Sequence, residues 1–204
     1  MNLQRINEIK GVIFDLDNTL VSSSLDFKTL KQSIGCCSGE DILEFVNKIE
    51  SKEHRQQADA KILAHEYDDA MSSEILTGAH DLIAHLNLCN IPTAIVTRNS
   101  KQSSEHKIKK HSINIENVIT REMFPPKPDP TALNHIANQW QLQNKEVLYV
   151  GDYLYDIQAA QNAKMQSCLI SHFEEKPYQD QADIVVDTLS ELKQLLIKIN
   201  SDVV

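Results

Sequence analysis

Gly11-Val-Ile-Phe-Asp15-Leu-Asp17-Asn-Thr19-Leu20 is a short apolar run that ends abruptly in two carboxylates one residue apart. The run is too short for a helix and apolar at successive positions, which predicts a strand buried on both faces, Val12 to Leu16. Acids at the end of such a strand are costly to bury unless something compensates their charge. Residues at i and i+2 share a face only while the strand continues. A chain that turns after Asp15 can aim its carboxylate and the Asp17 carbonyl at one cation, leaving the Asp17 carboxylate free.

Outward from this stretch the same kind of strand recurs at Thr93 to Thr97, Asn117 to Thr120, Val147 to Gly151, Ser167 to Ser171 and Asp183 to Val186. Between these runs, helical spacing appears at Ala79 to Leu88, Gln102 to His111, Thr131 to Gln141, Ile157 to Ala163 and Leu189 to Ile199. Alternating strands and helices predict an α/β fold, a doubly wound, Rossmann-like parallel sheet with helices on both faces. The interval from Leu20 to Leu76 breaks the alternation. It carries polar, helix-compatible sequence such as Glu40 to Glu50 and Glu53 to Ser72. The expected organisation is a core formed by residues 1–20 and 77–204 and a small helical insertion at 21–76, inserted after the first strand. Ligands of open parallel sheets bind beyond the carboxyl ends of the strands, so this insertion can roof the site.

Three further stretches place reactive groups at such strand ends. In Ala94-Ile-Val-Thr97-Arg98-Asn99-Ser100 a hydroxyl ends a strand and a helix follows; the hydroxyl and nearby N–H groups can hold an anion, or Thr97 can simply cap the helix. Arg98 and Asn99 can reach a substrate or cap that helix. Pro125-Pro126-Lys127-Pro128-Asp129-Pro130 holds Lys127 in a stiff loop, with Pro128 favouring extended backbone before it and Pro130 suited to a first helical turn. Lys127 reads either as a point charge for phosphate oxygens or as a surface lysine in a proline-rich turn. Val147-Leu-Tyr-Val-Gly151-Asp152-Tyr-Leu-Tyr-Asp156-Ile157 is another buried strand ending in an acid, with a second acid four residues on and Gly151 permitting close backbone approach.

Together the four stretches, in this order, resemble the motifs of the haloacid dehalogenase superfamily, and the insertion resembles the C1 cap of the group that includes phosphoglycolate phosphatases. The resemblance covers essentially the whole chain outside the insertion. It implies a Mg2+-dependent phosphatase acting on a small phosphorylated metabolite, with Asp15 as nucleophile, Asp17 as acid and then base, Thr97 and Lys127 on the phosphate, and Asp152 as a direct magnesium ligand. Asp156 is then a supporting acid that orients Lys127 or a metal-bound water, with Thr19 and Gly151 also supporting. One departure is Lys164, where the family pattern has glycine; a left-handed helix end there costs lysine about 1 kcal/mol relative to glycine.

The converging acids themselves demand a divalent cation with hard oxygen ligands. Passing the phosphoryl group to a sugar hydroxyl instead of water, as a phosphomutase, is the nearest alternative. Carbon–halogen hydrolysis leaves Asp17 without a leaving alkoxide to protonate, and a non-catalytic binding protein leaves the full set of charged groups unexplained. Phe27, Lys28, Lys31, His54 and Arg55 are candidates for the roof, or exposed helix residues.

Composition narrows the rest. A net charge of −9 argues against nucleic acid, and the basic stretch Lys107 to Lys110 is expected on the solvated face of a helix. Met1 to Lys10 has no continuous apolar region, and no run approaches the ~20 residues needed to cross a bilayer, so a cytoplasmic location and no membrane partner are expected. Cys36, Cys37, Cys89 and Cys168 lack metal-site spacing and read as reduced. The tail after Ile199 is expected to fray.

Overall fold

The computed structural model describes residues 9–201. The elements run β1 (Gly11–Phe14), α1 (Phe27–Ile34), α2 (Ile42–Lys48), α3 (Lys52–Ser72), α4 (Ala79–Leu88), β2 (Thr93–Val96), α5 (Lys101–Lys110), β3 (Asn117–Ile119) and α6 (Thr131–Trp140). They continue through β4 (Val147–Gly151), α7 (Leu154–Ala163), β5 (Gln166–Ile170), β6 (Ile184–Val186) and α8 (Leu189–Ser201). Among the described residues the six strands form one sheet in the order β3-β2-β1-β4-β5-β6, and every pairing is parallel. This is the doubly wound α/β architecture expected. The reading of Met1 to Lys10 falls almost wholly outside the described residues. The tail beyond Ile199 is helical as far as Ser201, and its remainder also falls outside them.

Alternation along each strand builds two cores. Val12 and Phe14 join Leu82 and Leu86 of α4 and Leu192 and Leu196 of α8 on one face. Ile13 points the other way, to Leu133 and Ile136 of α6 and Ala160 of α7. A single truncation such as Leu133→Ala should cost about 2–5 kcal/mol, as for other buried leucines. The chain winds from β1 to β2 and β3 on one side, then crosses to β4 on the other. The crevice where this order reverses lies at the carboxyl end of β1, where doubly wound sheets bind ligands.

The interval between β1 and α4 contains three helices, of which α1 was expected only as helical residues around Phe27, Lys28 and Lys31, without bounds. Its signals are nonetheless local: Asp26 accepts from the Thr29 N–H at 3.0 Å, and Gly35 ends the helix in a left-handed conformation with φ 77°. Eight residues give too little periodicity to stand out. Leu30, Ile42, Val46, Ala58 and Ile62 bury one another in a separate apolar cluster. The face of α3 toward α5 is instead polar: Glu66 and Asp69 are buried there beside Ser103, Ser104 and Lys107. Helix α7 starts three residues earlier than expected, so Asp156 sits inside its first turn and accepts from the Tyr153 N–H at 2.9 Å.

Candidate active site

Asp15 follows β1 and Asp152 follows β4, adjacent strands in which Phe14 is in register with Val150. The Asp15 N–H donates to the Val150 carbonyl at 2.8 Å, carrying the ladder one residue further. One carboxylate oxygen from each of Asp15, Asp152 and Asp156 lies within 4.8 Å of the others. Gly151 is what lets this happen: a Cβ there would come within 2.2 Å of Asp156 Cγ.

Lys127 reaches into the group from the loop before α6. Its Nζ lies 2.8 Å from Asp15 Oδ1 and 2.6 Å from Asp156 Oδ1. The Lys127–Pro128 peptide is cis and Pro130 stands at the N-cap of α6. Burial works to lower the lysine pKa, but Asp15 and Asp156 outweigh it and hold the ammonium charged. Asp156 is fixed further by the Tyr149 hydroxyl, which donates to Oδ1 at 3.1 Å.

Burial raises the Asp15 pKa, with Lys127 opposing and Asp156 adding to the rise. Burial and the charges of Asp156 and Asp15 push Asp152 up to about 8. Two ammoniums, Lys127 and the more distant Lys176, stand against these three acids and do not compensate them all. A hard divalent cation fits this all-oxygen set, with Asp15 and Asp152 as the ligands it would meet. Lys176, which the sequence reading passed over, donates to the Asp152 carbonyl at 2.6 Å and lies 3.8 Å from its Oδ2.

The Asp17 carboxylate turns away from this trio. Its Oδ1 accepts from Lys107 Nζ at 2.5 Å and its Oδ2 from Asn99 Nδ2 at 2.8 Å. Burial raises its pKa against the lowering effect of Lys107 and Asn99. Lys107 is 0% exposed and shared with Asp69 Oδ2 at 2.6 Å. The expectation that Lys107 to Lys110 line a solvated face is therefore wrong for Lys107, because α3 brings a buried acid over that side of α5. Lys109 and Lys110 are exposed.

Thr97 is buried just beyond β2, and its Oγ1 accepts from the Asn99 N–H at 3.1 Å, leaving its own proton free to donate. Ser100, and not Thr97, Arg98 or Asn99, caps α5. Arg98 donates to the Lys127 carbonyl at 2.7 Å, to Asp41 Oδ2 at 2.5 Å, and stacks over the Tyr155 ring at 4.8 Å. Thr19 is fully buried below the site with no partner for its hydroxyl.

A cavity of about 470 Å³ opens over these groups, between the strand ends and α1 to α3. Asp15, Asp17, Thr97, Arg98, Asn99, Lys127, Asp152 and Asp156 all line it, with Leu25, Phe27, Leu30, Ile42 and Leu43 opposite. Of the five roof candidates, Phe27 and Lys31 border it. Lys28, His54 and Arg55 are exposed residues outside it; His54 borders a separate groove, and Arg55 donates to the Ile49 carbonyl at 3.0 Å. The four cysteines are free thiols, none of them at the site. Among the described residues no helix is long and apolar enough to cross a membrane.

Comparison with known proteins agrees with this arrangement. The model of the family described as haloacid dehalogenase-like hydrolase matches residues 12–170. A haloacid dehalogenase-like hydrolase domain-containing protein of Arabidopsis thaliana is 28% identical over 206 residues, covering 92% of this chain and 84% of its own. A phosphoglycolate phosphatase of Photobacterium profundum is 27% identical over 223 residues, covering 93% and 96% respectively. The fold also matches the crystal structure of a hydrolase from Pseudomonas syringae, with a TM-score of 0.76, 20% identity and coverage of 93% of this chain and 99% of that one. Since the family match spans β1 to β5 and all four reactive stretches, the chain belongs to the haloacid dehalogenase-like hydrolases.

Proposed function

We propose that this protein is a Mg2+-dependent phosphatase that hydrolyses a small phosphate monoester through an aspartyl-phosphate at Asp15. The observation that carries this reading is the convergence of Asp15 and Asp152 from adjacent strands, with Lys127 Nζ 2.8 Å from Asp15 Oδ1. Relatives named as phosphatases support it, among them the phosphoglycolate phosphatase above and an N-acetylmuramic acid 6-phosphate phosphatase of Pseudomonas putida, 23% identical over 92% of this chain.

In this reading an Asp15 oxygen forms a bond to phosphorus as the ester P–O bond breaks. Lys127 and the Thr97 hydroxyl hold the equatorial phosphate oxygens where negative charge must be stabilised. Asp17, whose pKa burial raises against the lowering effect of Lys107 and Asn99, serves in this reading as the acid that passes a proton to the departing alkoxide. It then takes a proton from the water that cleaves the aspartyl-phosphate, returning Asp15 to its free carboxylate. Asp15, the Asp17 carbonyl and Asp152 would hold Mg2+, which when bound supplies countercharge to the phosphate and the crowded carboxylates.

Residues 21–76 act as the cap, with α1 and α2 bearing the wall opposite the carboxylates. The cavity is of a size that encloses whole metabolites. Its wall offers Leu25, Phe27, Leu30, Ile42 and Leu43, and of its cations outside the carboxylate cluster Arg98 is already paired with Asp41 and Lys31 donates to the Ser38 carbonyl. That favours a leaving group with an apolar, uncharged surface. Hydrolysis is preferred over phosphoryl transfer to a sugar on the strength of the phosphatase relatives. The test is phosphate release from a panel of monoesters with and without Mg2+: the wild type should turn over and Asp15→Asn should not, although it remains folded. Turnover by Asp15→Asn would remove Asp15 as nucleophile.

A further inference from the structure

Lys107 occupies a position that the proposed chemistry leaves unused. It belongs to α5, is 0% exposed, and is absent from the cavity wall, so it cannot touch a substrate. Its ammonium nevertheless contacts Asp17 Oδ1 at 2.5 Å. Burying a lysine completely is expensive, and such residues persist only where acids surround them. Here the second acid is Asp69 of α3, 2.6 Å away and itself buried.

We infer that Lys107 is a positioning residue for the proton-transferring carboxylate of Asp17, and that it is in turn held in place by Asp69. This inference rests on the phosphatase reading above. The geometry supports it from both sides of the carboxylate. Lys107 Nζ fixes Oδ1 and Asn99 Nδ2 fixes Oδ2, which sets the plane of the group while leaving a lone pair on each oxygen. A proton carried on a free lone pair must then point in a defined direction, which is what transfer to a leaving oxygen requires.

The support for Lys107 does not end at α5. Asp69 accepts from Ser24 N at 2.6 Å and from Ser23 Oγ at 3.0 Å, in the segment that leaves β1 for α1. Glu66, one turn earlier on α3, accepts from Ser100 N at 3.1 Å and pairs with Arg121. The orientation of Asp17 is therefore referred through one ammonium to the seating of α3 on α5. A merely structural Lys107 would also pin α3 to α5, so the test must separate fastening from proton delivery.

The separation comes from leaving groups. Loss of an oriented acid damages transfer from an alkyl ester, whose alkoxide needs the proton, much more than from p-nitrophenyl phosphate, whose phenolate leaves without it. Lys107→Met should lower kcat/KM for benzyl phosphate on the order of 10²-fold, the scale of general acid catalysis, with a loss for p-nitrophenyl phosphate at least tenfold smaller. Lys107→Arg should recover part of the loss, and Lys109→Met on the exposed side of α5 serves as the control. The double variant Lys107→Met/Asp69→Asn removes the stranded acid and provides a folded form should the single variant not accumulate; the same leaving-group split is expected in it. Equal losses on both esters, or none, would overturn the assignment while leaving the phosphatase reading intact. A wild-type protein that releases phosphate from neither ester nor from any monoester of the panel would sink both.

Discussion

Lys127 Nζ lies 2.8 Å from Asp15 Oδ1, so the nucleophile of the proposed reaction and its countercharge are joined before any substrate arrives. The same ammonium holds Asp156 at 2.6 Å, and its removal strands two buried acids. Lys127→Ala should therefore lower stability by about 3–5 kcal/mol, the usual cost of breaking a buried pair. Its kcat/KM should fall by roughly 10²–10³, as for the loss of one oxyanion-stabilising donor. Urea unfolding and steady-state kinetics on the same preparation check both. Activity near wild type would remove Lys127 from the site.

Gly151 gives a second, purely steric prediction. An added Cβ would stand 2.2 Å from Asp156 Cγ and 2.4 Å from its Cβ. Gly151→Ala must push Asp156 aside and so loosen Lys127. Activity should drop at least tenfold, a shift of about 1.4 kcal/mol in barrier. Gly39→Ala, with nothing within 4 Å, should leave the melting temperature unchanged, and a parallel loss of stability in that variant would show the effect to be nonspecific.

The acid cluster predicts how stability responds to pH. Burial, Asp156 and Asp15 raise Asp152 to about 8, far above the ~3.9 of an unfolded aspartate. A carboxyl raised on folding contributes its stability below the unfolded pKa and loses it as pH climbs through the folded one. The metal-free protein should therefore lose stability between about pH 4 and pH 8 from this group, and Asp152→Asn should flatten that decline. Mg2+ should raise the melting temperature more at about pH 8 than at about pH 6, because at the lower pH it must displace protons. Thermal scans in EDTA and in Mg2+ check this. A wild-type decline no steeper than that of Asp152→Asn would contradict it.

Lys164 ends α7 with φ 57° and ψ 34° and is exposed. Lys164→Gly should stabilise the fold by up to about 1 kcal/mol, since glycine adopts this backbone without a Cβ penalty. Urea denaturation should register the gain while kcat stays the same.

Much of this was readable because the decisive signals are local. The apolar run ending at Asp15 and the run ending in Gly151-Asp152 each announced a buried strand and an acid at its end, and the sheet had only to align them. The Lys164 backbone was likewise foreseen from a missing glycine. Lys107 was misread because its burial depends on Asp69, 38 residues away on another helix, and no periodicity encodes that pairing. Lys–Ile–Lys–Lys looks solvated until a carboxylate covers one of its faces. Asn99 was left between capping and binding; its tie to Asp17 spans 82 residues. The extent of helix α1 was not legible because eight residues hold scarcely two turns, though Asp26 and Gly35 mark both ends.

The reading of Asp15 as a covalent nucleophile is tested most directly by trapping. Enzyme mixed with a monoester substrate and Mg2+, quenched in acid, reduced with borohydride and digested should yield homoserine at position 15 in the peptide spanning Asp15, and no such product from Asp15→Asn. Phosphate release with unmodified Asp15, or with the reduced residue at another aspartate, would contradict it.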